Sequence, residues 1–161
     1  MVAIQAPAEI SLRRGGPDDR SYIVTLAMRA FADFGEYDEI ISEWLDSPGV
    51  VSIIAADPGA RCGFALVAPR RTVGFRRNST AELIAIAVSE AARGRGVGRS
   101  LLERVELIAR GWAAGEIRLH TAVSNAPARR FFGSAGFRVL DTADAFYPNG
   151  QRALELRKSL R

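Results

Sequence analysis

Residues 93 to 98 read Arg-Gly-Arg-Gly-Val-Gly. They follow an apolar run, 81 to 88, and precede a stretch in which Leu101, Leu102, Val105 and Ile108 recur at helical spacing. Glycines at 94, 96 and 98 let a backbone approach a ligand closely and take conformations closed to other residues. The first amides of the helix that follows lack partners within it and sit at the positive end of its dipole. Such a loop suits a pyrophosphate, and Arg93, Arg95 and Arg99 add positive charge around Val97. Two other nucleotide-binding patterns fail on the same residues. A P-loop needs Lys and then Ser or Thr after the last glycine, whereas Arg99 follows Gly98. A dinucleotide fold needs a carboxylate at the end of the next strand, about twenty residues on. That strand ends Ala122-Val123-Ser124.

The composition limits what else the chain can be. Its 161 residues, 48% apolar and 25% charged, suffice for one globular domain spanning 1–161 with a core of its own. Cys62 is the only cysteine and His120 the only histidine, so neither an intramolecular disulfide nor a zinc site is expected. No apolar run is long enough to cross a bilayer, and residues 1–10 lack the build of a signal peptide. The expected address is the cytoplasm, with no membrane partner. The net charge of +4 comes almost wholly from arginine, scattered along the chain apart from the groups at 70–71, 76–77, 93–99 and 129–130. A nucleic-acid binder gathers its cations on one stripe. A polyanionic cofactor accounts better for the 93–99 group, and no nucleic-acid partner is expected.

The elements around the loop are legible in outline. Residues 10–14 read as a short strand closed by Gly15-Gly16-Pro17. Asp18 and Asp19 suit the first turn of a helix whose apolar face is Tyr22, Ile23, Leu26, Ala27 and Ala30. A second helix is expected over 37–45. Residues 50–56 and 62–68 form a hairpin about Asp57-Pro58-Gly59-Ala60. A polar loop, 70–79, leads into the strand 81–88. After the glycine loop come a helix stopped by Gly111, a strand over 117–123, and a helix begun by Pro127 that runs through Phe131 and Phe132. A hairpin of 137–140 with 152–156, turning at Pro148-Asn149-Gly150, ends the chain. Antiparallel strands first and one parallel crossover later make a mixed-sheet α/β, or equally α+β, domain.

Arg93-Gly94-Arg95-Gly96-Val97-Gly98 matches the Gln/Arg-x-x-Gly-x-Gly/Ala pattern of GNAT acyltransferases. A second block follows at the family's distance, Asn125-x-x-Ala128-x-x-x-Phe132-x-x-x-Gly136-Phe137. The chain therefore resembles the GCN5-related N-acetyltransferases over about residues 9–160, with its tail similar to the ribosomal-protein alanine N-acetyltransferases. The resemblance implies a mostly antiparallel sheet with a central parallel pair, 81–88 and 117–123, splayed at its C-terminal ends and flanked by helices. It implies acetyl-CoA between those strands. The pantetheine arm would lie along backbone groups of Ile86, Ala87 and Val88, the Val88 N–H would polarise the thioester carbonyl, and Asn125 would touch the cofactor.

An amine attacking a thioester must first be neutral, so a base is expected. Glu82 stands alone in an apolar strand eleven residues before Arg93, a register resembling the general base of histone acetyltransferases. His120 is the second candidate, since imidazole titrates near neutrality; it lies where the alanine N-acetyltransferases carry a glutamate. Either could instead be a structural residue, and either could act through water. Phe132 stands where many relatives have a tyrosine that protonates the leaving thiolate. A phenyl ring donates no proton, so Phe132 packs against the cofactor arm or the core. Tyr147, in a Phe146-Tyr147-Pro148 segment resembling the Tyr-Tyr-Pro of the N-terminal enzymes, is the substitute. Phe31, Phe34, Tyr37 and Trp44 alternate with Asp33, Glu36, Asp38 and Glu39, a mixture suited to an ammonium on an apolar body. The expected reaction is direct transfer to a small-molecule amine or amino acid. A protein N-terminus is the alternative acceptor, a non-catalytic acetyl-CoA-binding module the alternative role, and pairing of two copies stays open.

Overall fold

In the computed structural model, which describes residues 9–70 and 79–161, seven strands form one sheet in the order β1-β2-β3-β4-β5-β7-β6. The strands are β1 (Ser11–Arg14), β2 (Val51–Asp57), β3 (Ala60–Arg70), β4 (Thr80–Val88), β5 (Glu116–Ala122), β6 (Arg138–Ala143) and β7 (Ala153–Ser159). The helices are α1 (Arg20–Ala30), α2 (Asp38–Asp46), α3 (Val97–Gly111) and α4 (Ala126–Ser134). All neighbouring strands are antiparallel except β4 and β5. A parallel pair needs a long crossover, and α3 supplies it.

Each face of the sheet has its own core. On one face Leu101, Leu102, Val105 and Ala109 of α3 meet Ala81, Leu83, Ile117 and Leu119. On the other, Ile23, Leu26, Ala27 and Ile41 of α1 and α2 meet Phe64, Leu66, Ala85 and Ala87. Strand β4 serves both faces in turn because it carries a bulge. Val67 pairs with Leu83 and Leu66 with Ala85, which leaves Ile84 as an extra residue. The extra residue reverses the alternation, so Ala81 and Leu83 face α3 while Ala85 and Ala87 face α1 and α2.

β3, β4 and α3 close on a glycine. A Cβ on Gly63 would stand 2.9 Å from the Ala87 carbonyl oxygen and 3.2–3.3 Å from Leu101 and Val97. Backbone cannot yield as a side-chain tip can. Gly63→Val is therefore expected to lower the unfolding free energy by about 2–3 kcal/mol. A denaturant titration checks this, and an unchanged midpoint would mean that α3 can back away from the sheet.

Two expectations change, and Asp19, which stands at the start of α1 as expected, has a further role: only 2% of its side chain is exposed, it accepts two bonds of 2.7 Å from Arg13 and one of 2.8 Å from Arg61, and the Gly16 N–H also donates to it. The Arg13 guanidinium above all holds its carboxyl far below the usual range, against the opposing effect of burial. A depressed carboxyl contributes stability above its unfolded value, near pH 4, and loses it as pH falls toward the folded value. Asp19→Asn should thus cost about 2 kcal/mol at neutral pH, with a smaller loss below pH 3; chemical melts across that range read the difference. Gly111 is the last residue of α3 and not its stop. The turn falls on Ala113 at φ +57, where Trp112 caps the helix. Arg70 belongs to β3, and residues 71–78 of the expected polar loop, with Arg71, Arg76 and Arg77, lie outside the described residues.

Candidate active site at the splayed strand pair

β4 and β5 pair only at Thr80–Glu116, Ala81–Ile117 and Glu82–Arg118. Beyond Glu82 the strands part, leaving the β4 edge open toward β5. Which β4 amides line that opening follows from the other edge. The Ser89 N–H donates to the Cys62 carbonyl at 2.9 Å, and the Ala87 carbonyl faces Gly63, so both turn toward β3. Backbone groups alternate in direction along a strand. The amides of Val88 and Ile86 therefore face the opening, while Ala87 spends its backbone on β3 and its side chain on the α1/α2 core.

The glycine loop closes the open end. Gly94 and Gly96 take φ +76 and +81, conformations that favour glycine, and nothing lies within 4 Å of a Cβ built on either. The Ser100 N–H bonds back to Gly96 at 3.0 Å, so the amides of Val97, Gly98 and Arg99 precede the first helical bond and face outward. Val97 anchors the loop, 1% exposed in the α3 core. A Cβ on Gly98 would touch the Phe131 ring at 3.4 Å and Val88 at 3.8 Å, so α3, α4 and the end of β4 converge there. Arg93 and Arg99 are exposed. Arg95 is held by Asp57 at 2.7 Å, an ion pair that ties the loop to the β2–β3 hairpin and leaves less of its charge for a ligand. Open space over outward amides, next to a free strand edge, fits a pyrophosphate with an extended arm, as acetyl-CoA has.

The polar side chains of β4 and β5 lie on the opposite face. Ala81 and Leu83 point to α3, so Glu82 between them points away, half-buried. Arg118 and His120 alternate with Ile117 and Leu119 and share that face. His120 stacks on Phe146, centroids 4.3 Å apart, and its Nε2 stands 3.9 Å from the Glu155 carboxylate across the β5–β7 pair. Glu155 is held in turn by Arg118 at 3.2 Å and Arg70 at 3.5 Å. Above them, the segment between α1 and α2 meets the β6–β7 loop. Asn149 and Gln151 donate side-chain hydrogens to the Asp33 carbonyl at 2.8 Å, and the Asn149 N–H donates to the Phe34 carbonyl. Phe34 packs on Tyr147 at 5.2 Å, and Phe31 on Tyr37 at 5.4 Å. Burial pushes the Tyr37 hydroxyl up to about 12. Burial, with Tyr37 nearby, raises Tyr147 further still. Both phenols keep their protons at any working pH.

The structure thus gathers Phe34, Tyr37, His120 and Tyr147 in one region, and it divides the mixed aromatic and acidic segment. Its aromatics turn inward, Tyr37 being 7% exposed, while Asp33, Glu36, Asp38 and Glu39 face solvent. Asn125 caps α4, its Oδ1 accepting from the Ala128 N–H at 3.2 Å. Phe132 is a core residue, 5% exposed between Phe131 and Phe137. Glu155 went unread in the sequence, and Phe131 and Phe146 were read only as parts of their segments. Glu155 had a signal, because it is the one carboxylate of its strand, between Leu154 and Leu156.

The profile of the Acetyltransferase (GNAT) family matches residues 20–137. No curated protein matches in sequence. Solved structures do match in fold. Arabidopsis thaliana NAA60 in complex with a bisubstrate analogue shares 17% identity, with 95% of this chain and all of that one covered at a TM-score of 0.80. The ribosomal-protein-S18-alanine N-acetyltransferase of Escherichia coli shares 20%, covering 94% of both chains at 0.76. A Desulfovibrio desulfuricans protein described as a GNAT-family acetyltransferase shares 24%, covering 95% and 100% at 0.76. The chain belongs to the GNAT acetyltransferase family, with the fold expected of it. It is an acetyl-CoA-dependent N-acetyltransferase. Among the described residues no helix is long and apolar enough to cross a membrane, and no group of three His, Cys, Asp or Glu could hold a metal.

Proposed function

We propose that this enzyme acetylates a primary amine by direct attack within a ternary complex, and that the acceptor is a small amine or amino acid. The tie between the two loops supports this most. Three hydrogen bonds from Asn149 and Gln151 to Asp33 and Phe34 tie the α1–α2 segment to the loop that carries Phe146 and Tyr147, and a tied rim suits a compact molecule better than a long chain. The inward aromatics offer such an acceptor an apolar wall.

Bound acetyl-CoA supplies an acyl group activated as a thioester. Gly94 to Arg99 would hold its pyrophosphate through backbone amides, and the cleft-facing amides of Ile86 and Val88 would fix its arm and polarise the carbonyl. The two candidate bases differ in reach. Glu82 lies four residues from Ile86 and six from Val88, about 13 and 20 Å along an extended strand. Arg118 is level with Glu82, so His120 stands about 7 Å nearer the open end. His120 is therefore the better placed base, directly or through one water. Glu155 at 3.9 Å would stabilise the imidazolium formed when His120 takes the amine proton. Glu82 is left to attract the incoming ammonium. Tyr147, fully protonated, would donate a hydrogen bond to the departing sulfur. Cys62 is buried, and burial pushes its thiol up, so it is a poor nucleophile for a covalent route.

A peptide N-terminus is the second reading, favoured by the Phe146-Tyr147-Pro148 segment beside His120. A panel of small amines, amino acids and short peptides, followed by CoA thiol release, separates the two. Faster turnover of peptides than of any free amine would overturn the small-acceptor reading.

A further inference from the structure

Arg118, Arg157 and Arg138 stand side by side across three adjacent strands. Arg118 is the register partner of Arg157 in β5–β7, and Arg157 that of Arg138 in β6–β7. Register partners in an antiparallel pair project from the same face, with Cβ atoms about 5 Å apart. Like charges directly opposite one another repel, and strands seldom carry three in a row. The row is only partly neutralised. Arg118 is bonded to Glu116 at 2.6 Å and to Glu155 at 3.2 Å. Neither the Arg138 nor the Arg157 side chain has a hydrogen bond or ion pair among the described residues, and both are exposed. The nearby Lys158 is already engaged by Glu106 at 2.6 Å. The three arginines line a hollow of about 690 Å³ at the end of the sheet away from the glycine loop, and among the described residues Glu116 is its only acidic wall.

We infer that this hollow is a binding site for a small multivalent anion, carrying two phosphate or carboxylate groups within about 5 Å of each other. A ligand of that form bridges neighbouring guanidiniums and removes the repulsion between them. Guanidinium forks match phosphate and carboxylate oxygens in pairs. The concave shape and the short row, about 10 Å over three strands, fit a compact molecule better than a nucleic-acid backbone, which asks for a longer stripe. The site reaches the catalytic region through Arg118, which also holds the Glu155 beside His120. Its occupancy does not depend on which amine is acetylated.

The test uses the full chain with CoA in excess, so that the glycine loop is filled. Pyrophosphate and citrate are added separately, and melting temperature and calorimetric affinity are read at low and high salt. The expected result is a rise in melting temperature with at least one of them, weakening as salt increases; the tighter of the two tells phosphate from carboxylate. Arg157→Gln and Arg138→Gln should each weaken binding about tenfold, the loss of one charged pair of bonds. Without ligand, Arg157→Gln should melt no lower than the parent, because it relieves two like-charge contacts. No shift with either anion, or a shift that both variants keep, would overturn the site. So would a short RNA duplex that binds through these arginines where the small anions do not.

Discussion

Gly96→Val is expected to weaken binding of both acetyl-CoA and CoA about a hundredfold while the protein still folds. Gly96 takes φ +81 in open space and caps α3. A β-branched residue there costs about 1–2 kcal/mol of strain and pulls the loop out of its turn. Losing two bonds from amide to phosphate, at about 1.5 kcal/mol each, by itself accounts for the factor of about a hundred. The core reaches the loop only through Val97, so melting of the ligand-free variant should fall by a few degrees at most. Calorimetry with free CoA isolates the pyrophosphate contribution. Unchanged affinity in a folded variant would make the glycines a plain turn.

The second large effect concerns the proton. His120→Ala should lower turnover at neutral pH by about two to four orders of magnitude, the range of general-base catalysis. Raising pH toward the amine's own pKa should restore much of it, since the substrate then arrives neutral. Glu82→Gln should act mainly on KM for the amine, because Glu82 lies too far along β4 to reach the carbonyl end. The reverse ranking would move the base to Glu82, and would place the thioester nearer Ile86 than Val88. Small, equal losses would leave proximity and carbonyl polarisation as the main catalytic terms.

The two motifs carried most of what the sequence could tell. A glycine loop between strand and helix needs glycine for a local, backbone reason, so Gly94 and Gly96 announce it in any context. The parallel pair follows from the crossover that the same loop begins. Other features depend on partners distant in sequence. The bulge at Ile84 is silent because β4 is apolar on both faces, and no alternation of polar and apolar residues exists for it to break. Asp19 reads correctly as a helix-start residue, but nothing local tells that Arg13 and Arg61 converge on it from β1 and β3. The stop at Ala113 is hidden because a glycine two residues earlier is the more conventional signal. The pairing of His120 with Glu155 and Phe146 depends on a register between β5 and β7 that no local pattern specifies.

The most direct test is amine-dependent thiol release. Purified protein is mixed with acetyl-CoA and an amine panel, with free thiol and acetylated amine measured together. Release is expected to require an amine, to equal the acetylated amine formed, and to fall about a hundredfold in Gly96→Val at subsaturating cofactor. Thiol release without an amine, with the acetyl group left on the protein, would contradict direct transfer. Tight binding of acetyl-CoA with no turnover of any amine across the panel would contradict the enzyme itself.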